Sequence, residues 1–196
     1  MKADMINELS KTDERENDFI NPKKFGLWLI IVASVMLFAA FTSAYIVRRG
    51  EGNWELFDLP AVFAYNLITI ILSSIFMQMA FVSARKDEIS KTKLTLLLTM
   101  VLGVAFCFLQ YQGWKELVKN SVYLVGNPSG SFIYVISGVH MLHVIGGLVF
   151  VSIMLLQTFR YKVHKKSMLY LSMCATYWHF IGILWAYLFI FFKMYR

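Results

Sequence analysis

The longest apolar stretches of this sequence contain no charged residue. Asp, Glu, Lys and Arg make up only 16% of the 196 residues, 58% are hydrophobic, and the mean hydropathy is +0.59. This composition places the chain in the membrane class. Pumps and ion-coupled transporters usually keep an ionisable residue inside the bilayer. The charge-free stretches therefore argue against a free-standing transporter.

Cysteine is scarce as well. The chain has two, Cys107 and Cys174, and each lies inside an apolar stretch. A disulfide framework needs several spaced cysteines in an oxidising compartment. We therefore expect both to be small hydrophobic side chains that pack between helices.

Five apolar runs are long enough to cross a bilayer, which takes about 20 residues in a helix. Lipid offers no hydrogen bonds to the backbone, so each run must be helical. The sequence predicts an all-α, polytopic membrane protein with a charged, flexible, water-facing tail over residues 1–24 and a five-helix membrane domain over residues 25–196. The predicted spans lie near 25–47, 61–84, 94–112, 131–158 and 168–192.

The basic residues indicate how the chain is oriented. The net charge is +7, but the Lys and Arg residues lie in the tail and in short turns between apolar runs. This is the pattern of a topology signal, and it argues against a nucleic-acid partner. Thirteen of the 19 fall on the side of the tail and of loops 85–93 and 159–167. The positive-inside rule then places the N-terminus in the cytoplasm and the C-terminus in the periplasm.

Three histidines lie within the apolar runs. His140 and His143 are three residues apart in "SGVHMLHVIGG", with Gly147 one turn further on the same face, and His179 lies in "TYWHFIGILW" beside Trp178. Three interpretations are open from the residues alone. In the first, His143 and His179 bind a haem. In the second, the imidazoles belong to a metal centre with few ligands. In the third, they form hydrogen bonds between helices.

These blocks are similar to a known family. "SGVHMLHVIGG" resembles the Thr-Gly-x-His-Gly-x-His-Val-x-x-Gly signature of subunit III of the haem-copper oxidases, and "YWHFIGILWAYLF" resembles that family's Trp-His-Phe-Val-Asp-x-Val-Trp block. The second run matches through Asn66, and the third through the block that contains Gln110. The similarity runs from about residue 25 to the C-terminus, in the short form with five helices.

Three positions depart from the family pattern. Ser34, Gly113 and Gly182 stand where the family commonly has carboxylates. Any role of those carboxylates in proton uptake therefore does not carry over to this chain.

The resemblance implies a subunit without a catalytic centre, cofactor or metal of its own. Haem and copper would lie in partner subunits. This chain would pack on subunit I, contact subunit II and small subunits, and bind phospholipid in a bacterial cytoplasmic (inner) membrane, with a larger respiratory supercomplex as a further possibility. The resemblance favours a structural, interhelical role for His140, His143, Gly147, Trp178, His179, Asn66 and Gln110. We expect a cytochrome c oxidase, with a quinol oxidase as the alternative and a membrane cytochrome b that uses His143 and His179 as the less favoured one.

Overall fold

The computed structural model describes residues 22–159 and 165–195, and every regular element in that part of the chain is an α-helix. All five helices are long and apolar enough to cross a membrane. The prediction of an all-α protein with five membrane-crossing helices is therefore confirmed. The helices are α1 (Pro22–Gly50), α2 (Val62–Arg85), α3 (Ile89–Lys119), α4 (Pro128–Phe159) and α5 (Lys165–Tyr195).

Most helices extend beyond the predicted spans. The third span was predicted over 94–112, whereas α3 has 31 residues, or about 46 Å at 1.5 Å per residue. A hydrocarbon core is only about 30 Å thick, so a charge-free run marks the crossing and misses the helical turns on either side. Residues 1–21 of the predicted tail lie outside the described residues. Residues 22–24 already belong to α1, which begins at Pro22, a position where proline is favourable.

One side chain connects the loop before α4 to the loop after α1. Asn127 Oδ1 accepts hydrogen bonds from the backbone N–H of Ser129 at 3.0 Å and from its hydroxyl at 2.8 Å, which is a helix N-cap. Asn127 Nδ2 also donates to the carbonyl of Asn53 at 3.1 Å. This asparagine therefore ties the loop after α1 to the start of α4.

Helices α2 to α5 form a closed ring. α2 packs against α3 and α5, and α4 packs against the same two helices. Helices that follow one another in the ring run antiparallel, as short loops require. The side chains inside the ring provide the core described below.

The chain divides into two compact units within α1, after Met36. In the first unit, Ser34 is buried and its hydroxyl donates to the carbonyl of Ile30 at 2.8 Å. In the second unit, the remainder of α1 contacts α5 through Thr42, whose hydroxyl lies 3.0 Å from that of Tyr187.

Candidate functional site

One tryptophan on α5 contacts all three other helices of the ring. Trp178 is buried, and its indole N–H donates to the hydroxyl of Ser73 on α2 at 3.1 Å. Its six-membered ring lies against glycines on α3 and α4. A Cβ atom added at Gly103 would lie 2.8 Å from Trp178 Cη2, and one added at Gly147 would lie 3.0 Å from Cζ3. The two glycines therefore create the space that the indole fills.

The hydrogen bond from Trp178 continues into α3. Ser73 accepts from the indole and donates its own proton to the backbone carbonyl of Thr99 at 3.0 Å. The hydroxyl of Thr99 in turn donates to the carbonyl of Thr95 at 2.9 Å. These groups are buried and partnered, and they connect α5, α2 and α3 in a region where water is not available to replace a lost bond.

A second aromatic layer surrounds Trp185, seven residues after Trp178 and therefore on the same face of α5. The Trp185 ring stacks on His140 of α4, with centroids 4.9 Å apart and planes 26° apart. It also stacks on Phe63 of α2 at 5.9 Å and meets Phe106 of α3 edge-on at 5.2 Å. This layer again takes one ring from each helix.

An amide pair joins α2 to α3 near that layer. Asn66 Nδ2 donates to Gln110 Oε1 at 2.7 Å, and both side chains are completely buried. Polar bonds between membrane helices contribute about 0.5–2 kcal/mol each. This hydrogen bond is a direct contact between α2 and α3.

The three histidines interact with their surroundings in three different ways. His179 contacts another helix, with Nε2 3.1 Å from Gln78 Oε1 on α2. His143 Nδ1 lies 2.8 Å from the carbonyl of Val139, one turn back in its own helix.

His140 departs from the expectation of a hydrogen bond between helices. Within the described residues, neither of its ring nitrogens has a hydrogen-bond partner. The rings of Phe38, Phe106 and Trp185 surround it instead. Its direct contacts with other helices are therefore contacts between aromatic rings.

His143 and His179 are directed towards different helices. The His143 ring meets Phe38 of α1 edge-on, with centroids 5.4 Å apart, whereas His179 is bonded to Gln78 of α2. In residues 22–159 and 165–195, no three His, Cys, Asp or Glu side chains come close enough together to hold a metal ion.

Two of the positions where the family has carboxylates are filled tightly by their neighbours. A Cβ atom at Gly113 would lie 3.1 Å from the ring of Phe63, and one at Gly182 would lie 2.9 Å from Ser74 Oγ. Glycine at these positions gives Phe63 and Ser74 the room that they occupy. A carboxylate side chain would displace Phe63 if it stood at position 113 and Ser74 if it stood at position 182.

A groove of about 380 Å³ runs along the outer side of α2 and α5. Its walls include Ile75 and Ile183, which are exposed, and Gly182 lies in its lining. The bonded pair Gln78 and His179 lies in the same groove. Polar side chains that face lipid are unfavourable, and the groove around this pair is otherwise lined mostly by apolar residues.

Sequence reasoning did not include Trp185, Ser73 or Gly103 among the site residues. The spacing of seven between Trp178 and Trp185 is a signal for one shared helix face. Nothing comparable marks Gly103, because its importance depends on which residue of another helix lies opposite. The cysteines agree with the sequence in that both are free, Cys174 buried and Cys107 half-buried.

Comparison with known proteins gives a consistent result. The model of the family described as cytochrome c oxidase subunit III matches residues 2–196. The chain is 28% identical over 176 residues to the cytochrome bo(3) ubiquinol oxidase subunit 3 of Buchnera aphidicola subsp. Schizaphis graminum, covering 87% of this chain and 93% of that protein. It is 25% identical over 187 residues to the cytochrome c oxidase subunit 3 of Bacillus sp. strain PS3, covering 93% of this chain and 87% of that protein. It is 24% identical over 191 residues to a probable quinol oxidase subunit 3 of Staphylococcus saprophyticus, covering 94% of each.

Proposed function

Because this chain belongs to the cytochrome c oxidase subunit III family, we propose that it is the non-catalytic third subunit of a proton-pumping haem-copper oxidase that passes electrons to oxygen. Haem and copper would be bound by its partner subunits. The chain itself would contribute to the stability of the complex and to the lipid and oxygen environment of subunit I.

The observation that carries this proposal is that polar and aromatic side chains inside the ring form contacts between helices. Trp178 packs on glycines of two helices and bonds to a serine of a third, and Asn66 bonds to Gln110 across another helix pair. These contacts hold the helices of the ring together.

The geometry disfavours the alternative of a membrane cytochrome b. A haem between two helices needs both ligands directed at one space. His143 Nδ1 is occupied by a carbonyl of its own helix and its ring contacts α1, while His179 is bonded to α2. The two rings would have to break these contacts to face each other.

The electron donor is a finer question. We propose cytochrome c, with quinol as the alternative. The relatives include subunits of both kinds of oxidase at similar identity, 25% for the cytochrome c oxidase and 28% and 24% for the quinol oxidases. The donor site would lie on other subunits, so an oxidation assay with each donor distinguishes the two.

The proposed position is in a bacterial cytoplasmic membrane, packed mainly on subunit I, with the N-terminus in the cytoplasm. The groove on α2 and α5 supports a close helical partner, since Gln78 and His179 face outward there. We propose a transmembrane helix of a neighbouring oxidase subunit as the occupant, with bound phospholipid filling other parts of the apolar surface. Contact with subunit II and small subunits, and membership of a supercomplex, belong to the same proposal.

The test is a purification through this chain. The tagged protein is extracted in mild detergent, and the reduced-minus-oxidised spectrum and copper content of the material are measured. We expect an oxidase spectrum that is lost when a harsher detergent leaves the chain alone. His143→Ala and His179→Ala should retain that spectrum, whereas a b-type spectrum that stays with the isolated chain and disappears in either variant would refute the proposal.

A further inference from the structure

Four buried side chains, one from each helix of the ring, have polar atoms without a partner. Asn66, Gln110, His140 and Trp185 are all completely buried. Within the described residues, these polar atoms have no hydrogen-bond partner: Asn66 Oδ1, Gln110 Nε2, both ring nitrogens of His140, and Trp185 Nε1. Buried polar groups are rarely left unpaired in native proteins. Five unpaired polar atoms in one part of the core therefore indicate a bound ligand.

Ring contacts place these groups together. Trp185 stacks directly on His140 and also contacts Phe63 and Phe106. Asn66 follows Phe63 by one helical turn and Gln110 follows Phe106 by one turn. Because Asn66 and Gln110 are bonded to each other at 2.7 Å, the amide pair lies between the two phenylalanine rings that Trp185 contacts.

The position along each helix agrees with this grouping. Asn66 and His140 lie nearer the first residue of α2 and α4, while Gln110 and Trp185 lie nearer the last residue of α3 and α5. Since neighbouring helices are antiparallel, all four belong to the same end of the ring. The four helices thus present one polar layer.

The unpaired atoms define the chemistry of the ligand. The amide nitrogen of Gln110 and the indole N–H of Trp185 are donors, and the amide oxygen of Asn66 is an acceptor. A neutral imidazole at His140 adds one donor and one acceptor. Exchanging the oxygen and nitrogen of both amides only exchanges their roles, and one donor and one acceptor stay unpaired.

Three donors and two acceptors in an uncharged, aromatic environment do not suit an ion. The N–H groups of Trp185 and Gln110 would repel a cation, and the amide oxygen of Asn66 would repel an anion. The layer suits a small neutral molecule that both donates and accepts. Buried waters in proteins typically make about three hydrogen bonds to polar groups that have no other partner.

We propose that this layer binds ordered water, with one or two molecules that bridge Trp185, His140 and the free atoms of the Asn66–Gln110 pair. The water would connect all four helices of the ring at one level. It would complete a hydrogen-bond network in which, among the described residues, the two amides alone bond directly to each other. This inference does not depend on the electron donor of the oxidase.

The test is a high-resolution cryo-electron microscopy map of the complex that the tagged chain purifies with. We expect compact density within about 2.7–3.2 Å of Trp185 Nε1 and within the same distance of at least one of His140, Asn66 and Gln110. A map without such density, or one in which the five atoms have turned to bond directly to each other, would overturn the proposal. Density that only acceptor atoms approach would indicate a cation and would overturn it too.

Two variants make the test specific. His140→Phe keeps an aromatic ring on Trp185 and removes two polar atoms, whereas Phe106→Leu disturbs the packing of the same rings and removes none. We expect the loss of at least one water peak in His140→Phe and its retention in Phe106→Leu. Infrared spectra of the same samples provide a second readout, with a water O–H band that shifts in H₂¹⁸O and is weaker in His140→Phe. Equal bands in the wild type and His140→Phe would contradict the assignment.

Discussion

Gly147→Ala is the sharpest test of the packing around Trp178. The added Cβ atom would lie 2.9 Å from Ile181 Cδ1, 3.0 Å from Trp178 Cζ3 and 3.1 Å from Cε3. Carbon atoms pack best at about 3.5–4.0 Å, so the methyl group arrives about half an ångström or more too close. The tip of Ile181 can rotate away, but the indole is a rigid plane.

The indole has little room to move away from Gly147. The neighbouring part of the same six-membered ring faces Gly103, where an added Cβ atom would lie 2.8 Å from Cη2 and 3.0 Å from Cζ2, and the indole N–H is bonded to Ser73. Overpacking a core that cannot relax costs about 1–3 kcal/mol. We therefore expect Gly147→Ala to lower the free energy of unfolding by that amount, before correction for the change in helix propensity.

The adjacent residue supplies the matched control. Alanine is favoured over glycine in a helix by about 0.5–1 kcal/mol, and Gly146→Ala should have the same benefit. At Gly146 the nearest atom to an added Cβ is Tyr177 Oη at 3.8 Å, an ordinary contact. The difference between the two variants isolates the steric cost, measured by titrating the purified protein with SDS in mixed micelles and following its tryptophan fluorescence.

The result also depends on the identity of the aromatic residue. Cζ3 and Cε3 belong to the six-membered ring of the indole. Trp178→Phe replaces the indole by a smaller ring that can shift, so Gly147→Ala should lower the free energy of unfolding by less in that background. If Gly146→Ala and Gly147→Ala differ by less than about 0.3 kcal/mol, which is the usual error of additivity, then Gly147 is not where Trp178 is held, and the reasoning from these distances fails.

Two further predictions concern the hydrogen bonds between helices. Trp178→Phe and Ser73→Ala remove the same 3.1 Å bond, so a double-mutant cycle on unfolding should give a coupling of about 0.5–2 kcal/mol, and additive effects would mean that the bond contributes nothing. Asn66→Leu or Gln110→Leu alone leaves one buried amide unpaired and should cost about 1–3 kcal/mol. The double change should cost clearly less than the sum of the two, as thermal retention of the monodisperse complex would show, and a cost equal to the sum would rule out a mutual amide bond. Gly138→Ala is the reference for both experiments, since an added Cβ atom there meets nothing within 4 Å and only the gain in helix propensity of about 0.5–1 kcal/mol should appear.

The helices were predictable because the bilayer imposes a single condition on each of them. A run near 94–112 without charge can only cross as a helix, and α3 is indeed helical there. Its true length was not predictable from the same signal. The helical turns before Leu94 and after Gln112 carry charged residues that water solvates, so the charge-free run ends before them.

The partners of the site residues were much harder to predict. In a soluble helix the apolar face identifies the core, but in lipid the outer face is equally apolar. Exposed Ile183 and buried Ile181 of α5 illustrate this, since the sequence gives no reason to separate them. Only polar residues and glycines break the symmetry, which is why Asn66 and Gly147 were found and the aromatic neighbours of His140 were not.

His140 shows the limit of reasoning by residue type. The sequence identified it as an interhelical residue, and its ring does contact three helices through Phe38, Phe106 and Trp185. The expected mechanism was a hydrogen bond to another helix. Whether an imidazole stacks or bonds depends on what its neighbours present at the same level, and that is a property of the assembled ring.

The ring and the second half of α1 differ in the contacts that hold them. In the ring, glycines allow close approach and Trp178 fills the space that they leave, so small and large residues act as one unit.

The second half of α1 is attached in another way. Tyr45 is fully buried and contacts Trp54, Phe132 and Phe191 edge-on, and its hydroxyl donates to the carbonyl of Tyr195 at 3.3 Å. Lipid tails compete with such apolar contacts more readily than with glycine packing, because hydrocarbon is as good a neighbour for an aromatic ring as another side chain. The ring should therefore keep its structure in detergents that already loosen residues 37–50.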